Sequence, residues 1–282
     1  MRALGIDVGV RKGLDVVVLE DGGREPAATR RGVRLEDLRP LIERAGPDVV
    51  AIDSPPAWAR VGRSRGTERE IRLFGIQSYG TPRADRGIQH PFYEWMRVGF
   101  EVFRIAGRAG FPRYRGGPAA GTAIEVFPHA SAVVLAGCLP PRGIRKAAWR
   151  ASVLRRAGVH VDGSPDRIDA ALAALTGLRA LAGRSCALGD PREGVIVLPA
   201  RTLPARPFPR CAETAEAKRQ PHLPRMSPCR CGDPACDRLT SREFAPGHDA
   251  RRKSMLWALA RRGHEAVEEL RRRGWELPPE MR

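Results

Sequence analysis

Aromatic side chains make up only 6% of the sequence, so leucine, valine and alanine must fill most of any core. Lysine is scarcer still. Lys12, Lys146, Lys218 and Lys253 are four of the 49 basic residues, which leaves 45 arginines. Six cysteines in 282 residues are too few for a disulfide scaffold. No apolar run reaches the roughly 18 residues that a membrane helix requires, so no membrane partner is expected. An acid arrives at Asp7, too early for the apolar region of a signal peptide. The expected location is the cytoplasm.

What the chain does contain is enough apolar material, 42%, to build a sizeable core. Its length suits one large domain, with or without a small second one. The formal net charge is +17. A basic protein attracts polyanions, and arginine suits phosphate, so nucleic acid (DNA or RNA) is the expected partner. The arginine-for-lysine skew is also what a GC-rich genome produces, and charge alone does not decide between the two.

The first 53 residues read as three strands, a helix and a fourth strand. Ala3–Val8 and Leu14–Leu19 are short apolar runs, and Pro26–Val33 is a weaker one. Short turns join them, which predicts an antiparallel meander. Leu35–Ala45 has a helical period and stops at Gly46-Pro47. Its crossover predicts that Asp48–Asp53 runs parallel to the first strand. Further on, helices are expected at Thr67–Phe74, Pro91–Gly110, His129–Ala136, Lys146–Ala157 and Pro165–Ala182. Strands are expected at Thr122–Phe127 and Gly194–Leu198. Phe92, Trp95, Met96, Phe100 and Phe103 recur at helical spacing, a stripe that reads as core packing rather than a base-stacking platform. The fold class is α/β, a mixed sheet flanked by helices.

Asp7 and Asp53 each end an apolar strand. If those strands are parallel neighbours, they lie about 4.8 Å apart and end at one edge of the sheet. Two carboxylates that close repel unless a cation joins them. Open α/β sheets take ligands at that edge. The pair therefore reads as a divalent-metal site, although either aspartate alone would read as the start of a turn. Glu125, inside Thr122–Phe127, either faces water on a half-exposed sheet or belongs to a site. Asp169 lies one turn beyond Ser164-Pro165-Asp166, where helix capping no longer accounts for an acid. It is either surface or site.

The ordered set Gly5-Ile6-Asp7-Val8-Gly9, Ala51-Ile52-Asp53-Ser54-Pro55, Glu125-Val126-Phe127-Pro128 and Asp166-Arg167-Ile168-Asp169-Ala170 resembles domain of unknown function family 429. Glu68-Arg69-Glu70-Ile71-Arg72 and Gly75-Ile76-Gln77-Ser78-Tyr79-Gly80-Thr81-Pro82 fit the same pattern. The resemblance covers about residues 1–200. It implies a ribonuclease H-like fold with a β-β-β-α-β start, and a predicted nuclease with an acidic metal centre. By motif, Asp7 and Asp53 carry over best as metal ligands, then Glu125. Asp169 resembles the acid that ribonuclease H-like enzymes place on a late helix. The implied chemistry is phosphodiester hydrolysis with Mg²⁺ or Mn²⁺, two ions about 3.5–4 Å apart. Arg69, Arg72 and Lys12 are candidates for holding phosphate. The helix that bears the two arginines fits surface ion pairs equally well.

Seven prolines fall between Pro199 and Pro228, and residues 201–228 read as an extended linker. Beyond it, 229–282 reads as a small module. Cys229, Cys231 and Cys236 crowd within eight residues. With His248 they form a candidate structural zinc site, with His222 and Cys211 as reserve ligands. Arg251–Arg261 and Glu265–Arg273 read as helices. The segment from Phe244 to Ser254 resembles a module found at the tails of various bacterial proteins. Cys138 and Cys186 read as ordinary buried thiols.

Three functions are compatible with these residues. The first is a metal-dependent nuclease, a hydrolase working through Asp7, Asp53, Glu125 and Asp169. The second is a catalytically silent nucleic-acid-binding protein on the same fold, which has no need of the four acids. The third, a phosphotransferase, lacks support, because Val10-Arg11 follows Gly9 where a phosphate loop needs further glycines.

Overall fold

Three short apolar strands, at residues 2–7, 14–20 and 49–53, are buried along most of their length, and a fourth at 28–33 is largely exposed. The structure, a computed structural model, describes residues 1–204, 207–212, 227–228, 239–240 and 264–272. The chain divides into two units, Met1–Thr214 and Ala215–Arg282.

In the first unit β1 (Arg2–Asp7), β2 (Leu14–Glu20) and β3 (Ala28–Val33) form the expected antiparallel meander. Helix α1 (Leu35–Ala45) ends where Gly46 turns left-handed, and it returns the chain to β4 (Val49–Asp53), parallel to β1. Helices α2 (Gly66–Leu73) and α3 (Ala84–Gly87), a 3-10 turn at Pro91–Tyr93 and α4 (Glu94–Arg108) precede β5 (Thr122–Val126). Then come α5 (Pro128–Ala136), α6 (Lys146–Arg156), α7 (Pro165–Leu181), β6 (Cys186–Leu188) and β7 (Ile196–Leu198). The sheet order is β3-β2-β1-β4-β5-β7-β6. Strands β1, β4, β5 and β7 are mutually parallel, and β6 runs antiparallel along the far edge. This is a mixed α/β sheet flanked by helices. The three-residue β6 is too short to leave a periodic signal.

Alternation along the strands separates two cores. On one face Ala3, Val17, Val49, Ala51 and Ile124 pack with Ala170, Ala171 and Ala174 of α7. On the other, Leu4, Ile6, Val16, Val50 and Ile52 pack with Leu38 and Ile42 of α1 and Val102 and Phe103 of α4. Close approach on the first face depends on Gly5. A Cβ there would fall 2.0 Å from the Ala170 carbonyl oxygen and 2.5 Å from Ala174 N. On the second face Gly99 of α4 sits against Ser54, whose Oγ would lie 1.7 Å from an added Cβ. Both glycines press a helix onto the carboxyl edge of the sheet.

Within the proline-dense stretch, the segment at 207–212 lies on the first unit. Phe208 is buried against Phe74, and its N–H donates to the Phe74 carbonyl. Cys138, beyond α5, forms a disulfide with Cys211, 73 residues on. This corrects the reading of Cys138 as a free thiol and removes Cys211 from the reserve zinc ligands. Cys186 is free.

In the second unit β8 (Ser227–Pro228) pairs with β9 (Leu239–Thr240), and α8 spans His264–Arg272. Cys229, Cys231, Cys236, His248, His222 and the helix expected at 251–261 lie outside the described residues. No helix among the described residues is long and apolar enough to cross a membrane.

Gly5→Ala is expected to destabilise the chain by about 1–3 kcal/mol or more, since α7 must move to admit the methyl. Gly107→Ala, on α4 with open space around it, is expected to be neutral or slightly stabilising. Paired urea denaturation curves check both.

Candidate metal centre

Parallel register sets Asp7 directly beside Asp53, each the last residue of its strand. Both share a sheet face with Gly5 and Ala51, the face covered by α7. Helix α7 starts at Ser164, whose Oγ accepts from Arg167 N at 3.2 Å and donates to Asp15 Oδ2 at 3.1 Å. Pro165 fits the first helical turn, where its missing N–H costs nothing. That start places Asp169 above the two strand ends. Carboxylate oxygens of Asp7, Asp53 and Asp169 all lie within 4.8 Å of one another. Each side chain keeps some contact with solvent, while protein crowds it on most sides.

Burial and mutual repulsion govern their charge. Burial pushes Asp7 up to about 8, with further repulsion from Asp169, Asp166 and Asp15. Asp53 is pushed well above the carboxylate range by burial, then by Asp7 and Asp169. Burial also raises Asp169, to about 6, against the opposing pull of Arg150 on α6. Arg150 grips both Asp169 oxygens, with Nη2 to Oδ2 at 2.7 Å. Three hard oxygen donors with surplus negative charge suit Mg²⁺ or Mn²⁺ by donor type and by charge.

Glu125 stands elsewhere. It pairs with Ile52 in the β4–β5 register, so its side chain leaves the opposite face from Asp53. It is buried, not facing water, and Arg65 clasps both of its oxygens, with Nη1 to Oε2 at 2.7 Å. Arg65, 1% exposed, also donates through Nε to Glu68 at 3.0 Å. Burial alone would lower the Arg65 pKa, but Glu125 and Glu68 more than offset it and hold the guanidinium charged. Burial raises Glu125 despite Arg65. Glu68 further accepts from Thr81 N at 2.8 Å and from the Thr81 hydroxyl. The structure thus joins three of the four expected acids and gives the fourth a different partner.

The expected phosphate-holding residues are engaged with the protein itself. Arg69 donates to the Ser64 carbonyl, and Arg72 donates to the Ser78 carbonyl at 3.2 Å. Lys12 is exposed and lies 3.8 Å from Asp166. Three relevant residues escaped sequence reasoning: Arg65, Arg150 and Asp15. Asp15 faces Asp7 across the β1–β2 register. Arg65 sits in an arginine-rich loop without periodicity. Its detectable signals were the Arg65-x-x-Glu68 spacing at a helix start and a lone acid in a buried strand that required a cation. His129, the second residue of α5, is buried beside Trp149. Burial, Lys146 and Arg150 lower its pKa to about 4, and its Nδ1 has no hydrogen-bond partner among the described residues.

The chain belongs to the DUF429 family. The family, described as "Protein of unknown function (DUF429)", matches residues 5–193, from β1 through α7 and β6. No curated protein matches this DUF429 chain. Among solved structures, one titled "Thermus thermophilus RuvC structure" aligns at 17% identity over 65% of this chain and 95% of that one, with a TM-score of 0.37.

Without a divalent cation, stability is expected to fall between pH 6.5 and 8. In that range folded Asp7 retains a proton that the unfolded chain, with an ordinary value near 3.8, has already released. His129, ordinarily near 6.5 and lower when folded, opposes this slope only at lower pH. Mn²⁺ is expected to raise the melting temperature more at pH 8 than at pH 6.5, and Asp7→Asn to flatten the slope. Thermal melts in EDTA and in Mn²⁺ check this.

Proposed function

We propose that this chain is a divalent-metal-dependent nuclease that hydrolyses phosphodiester bonds of nucleic acid. The observation that carries the proposal is the convergence of Asp7, Asp53 and Asp169, from two strand ends and one helix, at the carboxyl edge of a strongly basic protein. These three carboxylates would hold Mg²⁺ or Mn²⁺. The chemistry such a cation supplies is acidification of water and neutralisation of charge on the scissile phosphate. Arg150 fixes the Asp169 carboxylate plane. Glu125, bound to Arg65, shapes the wall beside the centre and is not one of the three ligands. Arg69 and Arg72 brace the backbone at Ser64 and Ser78, so their effect on substrate is indirect. Lys12, exposed near the Asp7 edge, is left to attract the polyanion at longer range.

Cleavage of DNA or RNA in Mg²⁺ or Mn²⁺ is expected, with loss in EDTA and in a folded Asp7→Asn/Asp53→Asn variant. Glu125→Gln is expected to lower stability more than the cleavage rate measured on the folded fraction. If no substrate is cut and the double variant binds nucleic acid as tightly as wild type, the reading of a silent binder replaces this one.

For the second unit, Cys229, Cys231, Cys236 and His248 are proposed as ligands of a structural zinc ion. Stoichiometric zinc by elemental analysis, lost in Cys229→Ser/Cys236→Ser, is the expected result.

A further inference from the structure

Beside the three aspartates, on the α4 side of the sheet, the strand ends open into a cavity of about 280 Å³. Asp53 lines this cavity and also belongs to the acidic centre. Its volume falls near the low end of small-molecule sites, roughly 300–1,000 Å³. That is room for one planar ring system and too little for a base pair still stacked in a duplex.

The walls are aromatic. Trp95, Phe127 and Tyr79 line the cavity together with Met96. Tyr79 is 69% exposed, which is unusual for a large ring, and stands edge-on to Phe92 at 5.4 Å. Of the aromatic stripe expected to pack in the core, Met96 and Phe103 are buried, whereas Trp95 is only partly covered. Most polar groups of the lining bond to one another, as Arg65, Glu68, Thr81 and Glu125 do, but some capacity is left over. Ser78 Oγ is buried with no hydrogen-bond partner among the described residues, and Ser78 lines the cavity. A buried hydroxyl left unpaired is costly unless something fills its place. The bonds from Arg65 to Glu68 and Glu125 use three of the five guanidinium N–H groups. Both Glu125 oxygens retain lone-pair capacity.

From these observations we infer that the cavity is a binding site for a single unstacked nucleobase, adjoining the bond to be cut. The inference rests on the nuclease reading and narrows its substrate to unpaired strands, or to nucleotides that leave the stack. A phosphate at the Asp7–Asp53–Asp169 edge places its neighbouring base within reach of the cavity mouth, because Asp53 borders both. Rings at the mouth stack on a base face of any sequence. Ser78, Arg65 and Glu125 then meet the hydrogen-bonding edge of the base. Extracting a base costs least where it is already unpaired.

The test separates the cavity from the metal chemistry by using ligands without phosphate. Adenosine and cytidine are titrated into the full chain in EDTA, with ribose as control, and the Trp95 indole N–H resonance is followed by NMR. The nucleosides are expected to shift that resonance saturably and ribose to leave it in place. Ser78→Met, which fills the cavity, is expected to weaken nucleoside binding about tenfold or more. Trp95→Leu, followed by calorimetry, serves the same purpose should Ser78→Met fail to fold. In Mn²⁺, a single-stranded oligonucleotide is expected to be cut about tenfold or more faster than its blunt duplex, with that preference lost in Ser78→Met. Nucleosides that fail to bind, or that bind a folded cavity variant as they bind wild type, overturn the inference. So does equal cleavage of single strand and duplex by wild type. Nucleoside binding without any cleavage overturns the nuclease reading instead and leaves the base site standing. Cleavage without nucleoside binding does the reverse.

Discussion

The structure turns on like charges held side by side in a buried sheet. Parallel register leaves Asp7 and Asp53 no choice of neighbour, since each strand ends at the same edge and each residue points to the same face. Moving either strand by one residue would send its carboxylate into the opposite core. The repulsion is built into the backbone hydrogen bonds and cannot be relieved by a change of rotamer alone. Protonation, a guanidinium such as Arg150, or a bound cation are the ways to lower it. Such local frustration is common at functional sites, where the rest of the molecule supplies the stability that the site gives up.

The second charged cluster solves the same problem by other means. On the opposite face, Glu125 and Glu68 surround Arg65 deep in the protein, and every one of their carboxylate oxygens accepts a hydrogen bond. Removing either partner from such a group strands a buried charge. The cluster ties β5, the start of α2 and the loop at Thr81 together just behind the carboxyl edge of the sheet. Two neighbouring carboxylate groups, one with its own internal cation and one lacking enough positive charge, therefore differ in what each can still bind.

Much of this architecture was legible from local pattern. The meander, the α1 crossover and the Asp7–Asp53 pairing follow from apolar runs, turn residues and the handedness of crossovers. Asp169 was legible as an acid without a capping role at the start of α7. Glu125 was misplaced because spacing along one strand does not reveal its register against the next, and one residue of register decides the face. Arg65 and Arg150 were missed for a related reason. Their partners lie 60 and 19 residues away, and in a chain with 45 arginines no single one stands out. The role of Trp95 was obscured because a helical stripe shows which residues share a face, and that face here passes from core to cavity wall along its length.

The Cys138–Cys211 link has a topological consequence. It closes a ring of chain that contains α6, α7, β6 and β7, and so encloses both Arg150 and Asp169. Closing a ring of that size removes roughly 4 kcal/mol of disorder from the unfolded chain. The segment around Phe208 is held to the rest of the first unit by this bond as well as by backbone bonds, from Cys211 N–H to the Leu139 carbonyl and from Leu139 N–H to the Pro209 carbonyl. In a thiol-rich compartment such a bond opens and the ring becomes a tether. The covalent connectivity of the polypeptide around the acidic centre thus follows the redox state of its surroundings, while β1 and β4, the strands that carry Asp7 and Asp53, lie outside the ring.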